Sequence, residues 1–365
     1  MALLWCEGFD GISSSTNAAS NTETEAYLNM HYSAVTSSGA GAELFDGWHG
    51  GKCLSLGPDS SASNNYIRKT VTESTTLIFG LAISNGEWGG SSSASILNDK
   101  FATVRHAGDG VEHLIFSVQD HRHIRVTRGS TFLGIAYNVF RPGSFYYFEA
   151  KVTIHNSTGS VVLRSNGQQV LNLTNIDTKN GGTADAADTV EIRGIDGETS
   201  IDRGNTLFDD WYIADGTGSN NNDFIGPLKI ETLLPDGVGN ASDLTPLSGT
   251  NFSNVDEIEI DDDTTYVSSA TITDKDTHTM SALTDIDGSI FGMTISSICR
   301  VEDVTTHGLT NVVRRSTSES SGANPTVSST SYVVVSDIFE QDPAAGPGAW
   351  TVTNVNAMEA GYEVG

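Results

Sequence analysis

Glu257, Glu259 and Asp261 alternate along one acidic stretch, and residues two apart share a face when a chain is extended. Two carboxylates on one face are what glycoside hydrolysis needs, one as acid and one as nucleophile or base. The chain holds 46 Asp and Glu against 19 Lys and Arg, so a solvated acidic face accounts for the same pattern without catalysis. Asp209 with Asp210, and Asp261 with Asp263, offer the hard oxygens that Ca²⁺ prefers, although neither run has the spacing of a Ca²⁺-binding loop. His106, His113, His121 and His123 fall within 18 residues. His121 and His123 would share a strand face, which suits zinc, and equally suits the polar face of a hairpin. No G-x-S-x-G elbow and no phosphate loop with its lysine occurs. Trp48 and Trp88 each sit in a Gly-rich turn. An exposed indole there would stack on a sugar ring, and a buried one would plug the end of a sandwich. These two are the ligand candidates. No catalytic set assembles, no cofactor is expected apart from Ca²⁺, and the expectation is a protein that is not an enzyme.

These residues need a frame to hold them. A chain of 365 residues has room for two or three domains. Its net charge of −27 argues against nucleic acid, whose phosphates call for clustered Lys and Arg. No apolar run reaches the roughly 20 residues a membrane helix needs, and the start, Met1-Ala2-Leu3-Leu4-Trp5-Cys6-Glu7, reads as a first strand and not as a secretory leader. Cys6, Cys53 and Cys299 are far apart. An odd number without CxxC spacing fits buried thiols, with a Cys6–Cys53 bridge as the alternative.

The order of elements is all-β. Turn residues recur every 8–12 positions, and no stretch shows sustained helical spacing of apolar residues. Strands are expected at Tyr66–Lys69, Thr75–Ile83, Ser95–Leu97, Ala102–Arg105, His113–Val118, His123–Arg128 and Thr131–Ala136. The clearest meander follows, Ser144–Ile154, Ser160–Ser165 and Gln168–Leu173, with Asn166-Gly167 as a two-residue hairpin turn. Thr189–Gly194 and Phe208–Asp215 close the first run. In the last strand, strict alternation would put Phe208, Asp210, Tyr212 and Ala214 on one face and Asp209, Trp211, Ile213 and Asp215 on the other. Residues 217–223 are Gly, Ser, Asn and Thr ending in Asp, and read as a tether. Beyond it the composition changes: residues 219–365 hold 22 acidic and 5 basic side chains, residues 1–218 hold 24 and 14. Strands are expected there at Phe224–Leu233, at Asp256–Val267 as a strand running into an acidic turn, and at Phe291–Val301, Val312–Ser316, Ser331–Phe339 and Ala349–Thr353. The domains are therefore 1–216, a tether at 217–223, and a smaller β-sandwich-like module at 224–365.

Several of these segments together carry a resemblance. They are Glu7-Gly8-Phe9-Asp10, Gly50-Gly51-Lys52-Cys53-Leu54-Ser55-Leu56-Gly57, Tyr147-Phe148-Glu149-Ala150-Lys151, and Gly159–Gly167. Phe208-Asp209-Asp210-Trp211-Tyr212-Ile213-Ala214-Asp215 closes the set. In this order they are similar to the concanavalin A-like (laminin-G-like) jelly roll. The continuation Asn222–Gly237 resembles virion structural proteins of tailed bacteriophages. The resemblance implies a structural part of a phage particle, in its tail, baseplate, fibre or capsid surface. Its partners would be copies of itself and other virion proteins, with a host-surface glycan as an added ligand of the jelly roll, and neither nucleic acid nor membrane insertion. Its place would be the virion, after assembly in the host cytoplasm. Two alternatives stay open: a stand-alone carbohydrate-binding module or lectin, and a polysaccharide-degrading enzyme.

Overall fold

A computed structural model describes residues 2–12, 22–36, 41–57, 65–85, 99–119, 122–141, 143–195, 206–258, 260–283, 287–303, 305–346 and 348–365. The expected strand Ser95–Leu97 and the residues Trp88, His121 and Glu259 lie outside this set. The chain divides into two compact units, Met1–Ile230 and Glu231–Gly365. Among the described residues no helix is long and apolar enough to cross a membrane.

In the first unit the strands are, in chain order, β1 (Leu3–Glu7), β2 (Ala34–Thr36), β3 (Ala42–Asp46), β4 (Lys52–Leu56) and β5 (Tyr66–Ser74). Then come β6 (Thr76–Asn85), β7 (Asp99–His106), β8 (Val111–Gln119), β9 (His123–Arg128) and β10 (Thr131–Ala136). The run ends with β11 (Phe145–Thr153), β12 (Gly159–Ser165), β13 (Gln168–Ile176), β14 (Ala187–Arg193) and β15 (Thr206–Asp215). They form two antiparallel sheets, one in the order β13-β12-β11-β6-β15-β4-β3 with β1 on β15, the other in the order β10-β9-β8-β7-β14-β5-β2. The inward residues of both are apolar and fully buried, among them Leu81, Phe148 and Leu163 from the first sheet and Ile67, Val104, Phe116, Ile124 and Ile192 from the second. At the centre Phe79, Phe101, Phe116 and Phe148 meet edge to face at 5.2–5.9 Å, the arrangement that ring quadrupoles favour. This is the jelly-roll β-sandwich. The Asn166-Gly167 turn has φ of 47° and 77°, as its tight hairpin requires.

Four local expectations are corrected. A helix, α1 (Thr22–His31), stands in a stretch without sustained helical spacing of apolar residues. It is fixed by tertiary contacts that no periodicity announces: Leu28 is buried in the core, and the Tyr27 hydroxyl donates to Glu7 Oε2 at 3.0 Å. The alternation along β15 breaks at a bulge after Asp209, where Asp210 takes a left-handed φ of 48°. Phe208, Trp211 and Ile213 all point into the core as a result. Phe224–Ile230 is not a strand and belongs with the first unit. Within Asp256–Val267 the acidic turn is present, but among the described residues only Val267 is in a strand, Val267–Ser268, because the acidic run folds on itself: the Thr265 hydroxyl lies 2.7 Å from both Glu257 Oε1 and Asp261 Oδ2.

The second unit is also antiparallel β. Pro235–Ser242, Lys275–Met280, Met358–Val364, His307–Arg315 and Ser318–Ser321 form one sheet, and Met293–Cys299 pairs with Val333–Phe339. Its core is small, built on Val313, Phe339, Trp350, Val355 and Met358. Ala349–Thr353 is not a strand: Val352–Val355 is a helical turn capped by the Thr351 hydroxyl. All three cysteines are free.

Candidate functional site

Two faces of the first unit point away from its core, and they differ in chemistry. The outward face of the first sheet is covered. Tyr147 and Glu149 on β11 and Tyr212 on β15 project from it, yet all three are fully buried. Gly80 lies between them, and any side chain there would collide with the Tyr212 ring. Residues 223–230 run across this face as a strap. The Gly226 amide donates to Glu149 Oε1 at 2.8 Å, the Ile225 amide to the Tyr212 hydroxyl at 3.3 Å and the Ile230 amide to Asp210 Oδ1 at 2.6 Å. The Arg164 guanidinium lies 4.2 Å from the Phe224 ring. Burial raises the Glu149 pKa, although the Gly226 and Tyr212 hydrogen bonds oppose the shift.

The edge of this face holds three of the sequence candidates, Trp48, Asp209 and Asp210. Trp48 is half-buried, and its ring lies 4.1 Å from His49, 5.8 Å from Tyr147 and 6.4 Å from Phe145. Its amide donates to Asp209 Oδ2 at 2.8 Å. Asp209 and Asp210 are brought together with Asp10 beneath this turn. Burial raises the pKa of both, and their neighbouring carboxyls add to the rise. Asp10 Oδ1 accepts the Lys52 amide at 2.5 Å, so these carboxyls tie three loops together. In the second unit Asp263 is engaged by Arg300 at 2.7 Å and the Tyr332 hydroxyl at 2.9 Å, and Asp261 by Thr265. Among the described residues no three His, Cys, Asp or Glu side chains are placed to share one metal ion. His123 Nδ1 accepts the Asn138 amide at 2.9 Å, and His113 Nδ1 the Asn180 amide at 3.2 Å.

The outward face of the second sheet is the candidate site, and its residues were not singled out from the sequence. Register places Tyr66 opposite Arg193, Arg68 opposite Glu191, and Thr70 opposite Thr189. Glu191 and Thr189 then face Thr103 and Arg105. Thr103 faces Ile115, Arg105 faces Glu112, and Lys100 faces Ser117. Ile115 and Ser117 face Thr127 and Arg125. Directly paired residues share a face, so Arg68, Lys100, Arg105, Arg125 and Arg193 stand on one surface with Glu112 and Glu191. Five of the 14 basic residues in 1–218 are therefore gathered here, on a chain of strongly negative charge.

Glu191 organises that surface. Its side chain is 0% exposed, Arg68 Nε lies 2.5 Å from Oε2, and Arg193 donates to Oε1 through Nε at 3.0 Å and Nη2 at 2.7 Å. Arg105 lies 3.9 Å from Glu191 and pairs with Glu112, which also holds Lys100 at 3.0 Å. Burial works against the charge of Glu112, but Lys100, Arg105 and Arg193 hold its pKa below the usual value. Each guanidinium has five N–H donors, and a carboxylate accepts about four hydrogen bonds. Three guanidiniums around one buried carboxylate thus leave a surplus of donors and of positive charge. Tyr66 lies beside them, its ring 4.3 Å from the Arg68 guanidinium and 5.2 Å from that of Arg193. The signal was present in the strands Tyr66-x-Arg68-x-Thr70, Thr103-x-Arg105, Arg125-x-Thr127 and Thr189-x-Glu191-x-Arg193. Only the pairing order puts them side by side.

No family profile matches the chain, and no curated protein sequence matches it. Solved structures of similar fold exist. An endo-β-1,4-glucuronan lyase from the fungus Trichoderma reesei is 13% identical over 50% of this chain and 90% of its own, with a TM-score of 0.37. The alginate lyase Aly36B is 10% identical over 58% and 96%, with a TM-score of 0.39. The cellulose-induced protein Cip1 is 13% identical over 47% and 84%, with a TM-score of 0.36. Likeness at this level speaks to the fold alone. The expectation of a protein that is not an enzyme is corrected: the matched structures include a glucuronan lyase and an alginate lyase.

Proposed function

We propose that the first unit binds an acidic polysaccharide across the outward face of its second sheet. The observation that carries this reading is the Glu191 centre, where Arg68, Arg105 and Arg193 converge on one buried carboxylate. Guanidiniums pair with carboxylates and sulfates in two-point fashion. Thr70, exposed on the same face, adds a hydroxyl beside the guanidiniums. A positive patch on a negative protein also rejects neutral and basic partners and steers an anionic one. Affinity electrophoresis against polyuronate, sulfated and neutral glycans tests it. Retardation by an acidic chain is expected, weakening with added salt and lost in Arg68→Gln with a melt confirming the fold. If no acidic chain retards the protein, the reading fails.

A second reading rests on Tyr66. A phenol between two guanidiniums has the parts for β-elimination from a uronate. A cation neutralises the sugar carboxylate, a base removes the proton on the adjacent carbon, the C–O bond to the leaving sugar breaks as a double bond forms, and the departing oxygen takes up the proton that the base has gained. Ultraviolet absorbance of unsaturated product ends, abolished in Tyr66→Phe, is the expected outcome. A wild-type protein that binds polyuronate and releases no such ends would remove this reading and leave the first. The virion setting is a separate proposal about where such a unit is carried. Mass spectrometry of purified particles tests it.

A further inference from the structure

The second sheet ends on β10, and that end has features the Glu191 centre lacks. A cavity of about 180 Å³ opens there, lined by Lys100, Ile115, Ser117, Arg125, Thr127 and the β9–β10 turn Gly129-Ser130. All the strand residues among these belong to the outward face by register. Phe132 pairs with Thr127 across the turn and so stands on the same face. It is 53% exposed, and its ring lies 5.4 Å from the Arg125 guanidinium. A large apolar ring so exposed on a strand gains nothing from burial in the unit's own core. Next to a cationic, hydroxyl-lined cavity it makes a flat platform beside an anion-binding wall.

We infer that Phe132 and the Lys100–Arg125 cavity form a subsite for one charged sugar residue, distinct from the Glu191 centre, in which Phe132 stacks on the pyranose face and Lys100 and Arg125 take its carboxylate or sulfate. This rests on the polysaccharide reading above. An apolar ring face gives stacking area that any hexopyranose can use. The cations beside it favour the acidic one, because only a charged sugar gains from their positive potential. Five strand spacings separate β10 from β5, so Phe132 and Tyr66 stand about 24 Å apart across the sheet. The chain would then cross the strands, with an aromatic ring at each end and cations between. The cavity holds one acidic unit at one end, which also fixes the register of the chain.

Isothermal titration of full-length protein with polyuronate, a sulfated glucan and a neutral glucan tests this, using Phe132→Ala, Lys100→Gln and the wild type. The inference expects each change to weaken the acidic ligand by at least about tenfold with the melting temperature kept. It also expects a short acidic oligosaccharide to lose the same factor. Two results overturn it while sparing the polysaccharide reading: acidic-chain affinity unaltered in both variants, or neutral glucan bound by the wild type as tightly as acidic glucan. If the wild type binds none of the three chains, the polysaccharide reading and this subsite fall together.

Discussion

Glu191 shows how one residue fixes a surface. Removing it would leave Arg68 and Arg193 clustered with no acceptor between them, and unpaired buried charge is costly. Glu191→Ala should therefore destabilise the first unit by about 3 kcal/mol or more in urea unfolding. A loss below 1 kcal/mol would mean that the guanidiniums find water readily and that Glu191 is no organiser. Asp209 and Asp210 act in the opposite sense. Burial raises both carboxyls above their unfolded value of about 3.9. The unfolded chain then releases protons that the folded chain retains, so stability is full in acid and declines as pH climbs from about 4 towards neutrality. Asp210 Oδ2 is buried without a partner among the described residues, whereas Oδ1 accepts the Ile230 amide. Asp210→Asn keeps that acceptor and removes the charge, so it should flatten the decline. Melting temperatures between pH 4 and pH 8 check this, and a wild-type curve that rises with pH would refute it.

At the scale of elements, the strap 223–230 decides which sheet face is open. It satisfies Glu149 and Tyr212 and covers the outward face of the first sheet. Glu149→Ala removes the acceptor for the Gly226 amide. Amide exchange at Gly226 should then speed up by roughly tenfold, the equivalent of one hydrogen bond of about 1.4 kcal/mol, while amides of β6 and β11 keep their protection. Equal acceleration in β6 would show that the strap and the sheet open as one piece. Strand chemistry produced this division. Leu81, Phe148 and Ile192 alternate with Gly80, Glu149 and Glu191, so each strand turns an apolar face to the core and the other face away from it.

For the whole chain, the units Met1–Ile230 and Glu231–Gly365 place residues 224–230 with the jelly roll. A chain ending at residue 216 should melt roughly 5–10 °C below one ending at residue 230, because it uncovers Tyr147, Tyr212 and Glu149. Equal melting would mean that the strap contributes nothing. Much of this architecture was legible in the sequence. Two-residue alternation gave most strands of the jelly roll, and Asn166-Gly167 gave its tightest turn. Those signals are local, set by side-chain period and by backbone preferences at single residues. Trp48 was legible as an aromatic in a glycine turn, but its packing on Tyr147 and Phe145 depends on strands about 100 residues away. The bulge at Asp209–Asp210, the helix Thr22–His31 and the strap depend likewise on distant partners. The site lay furthest from view. Arg68, Arg105 and Glu191 belong to three strands separated by long stretches of chain, and nothing local distinguishes them from ordinary polar positions. Sequence determined that each strand has a polar face; the order β8-β7-β14-β5 alone decided that these polar faces join into one cationic surface, because sheet pairing acts between residues that the sequence keeps apart.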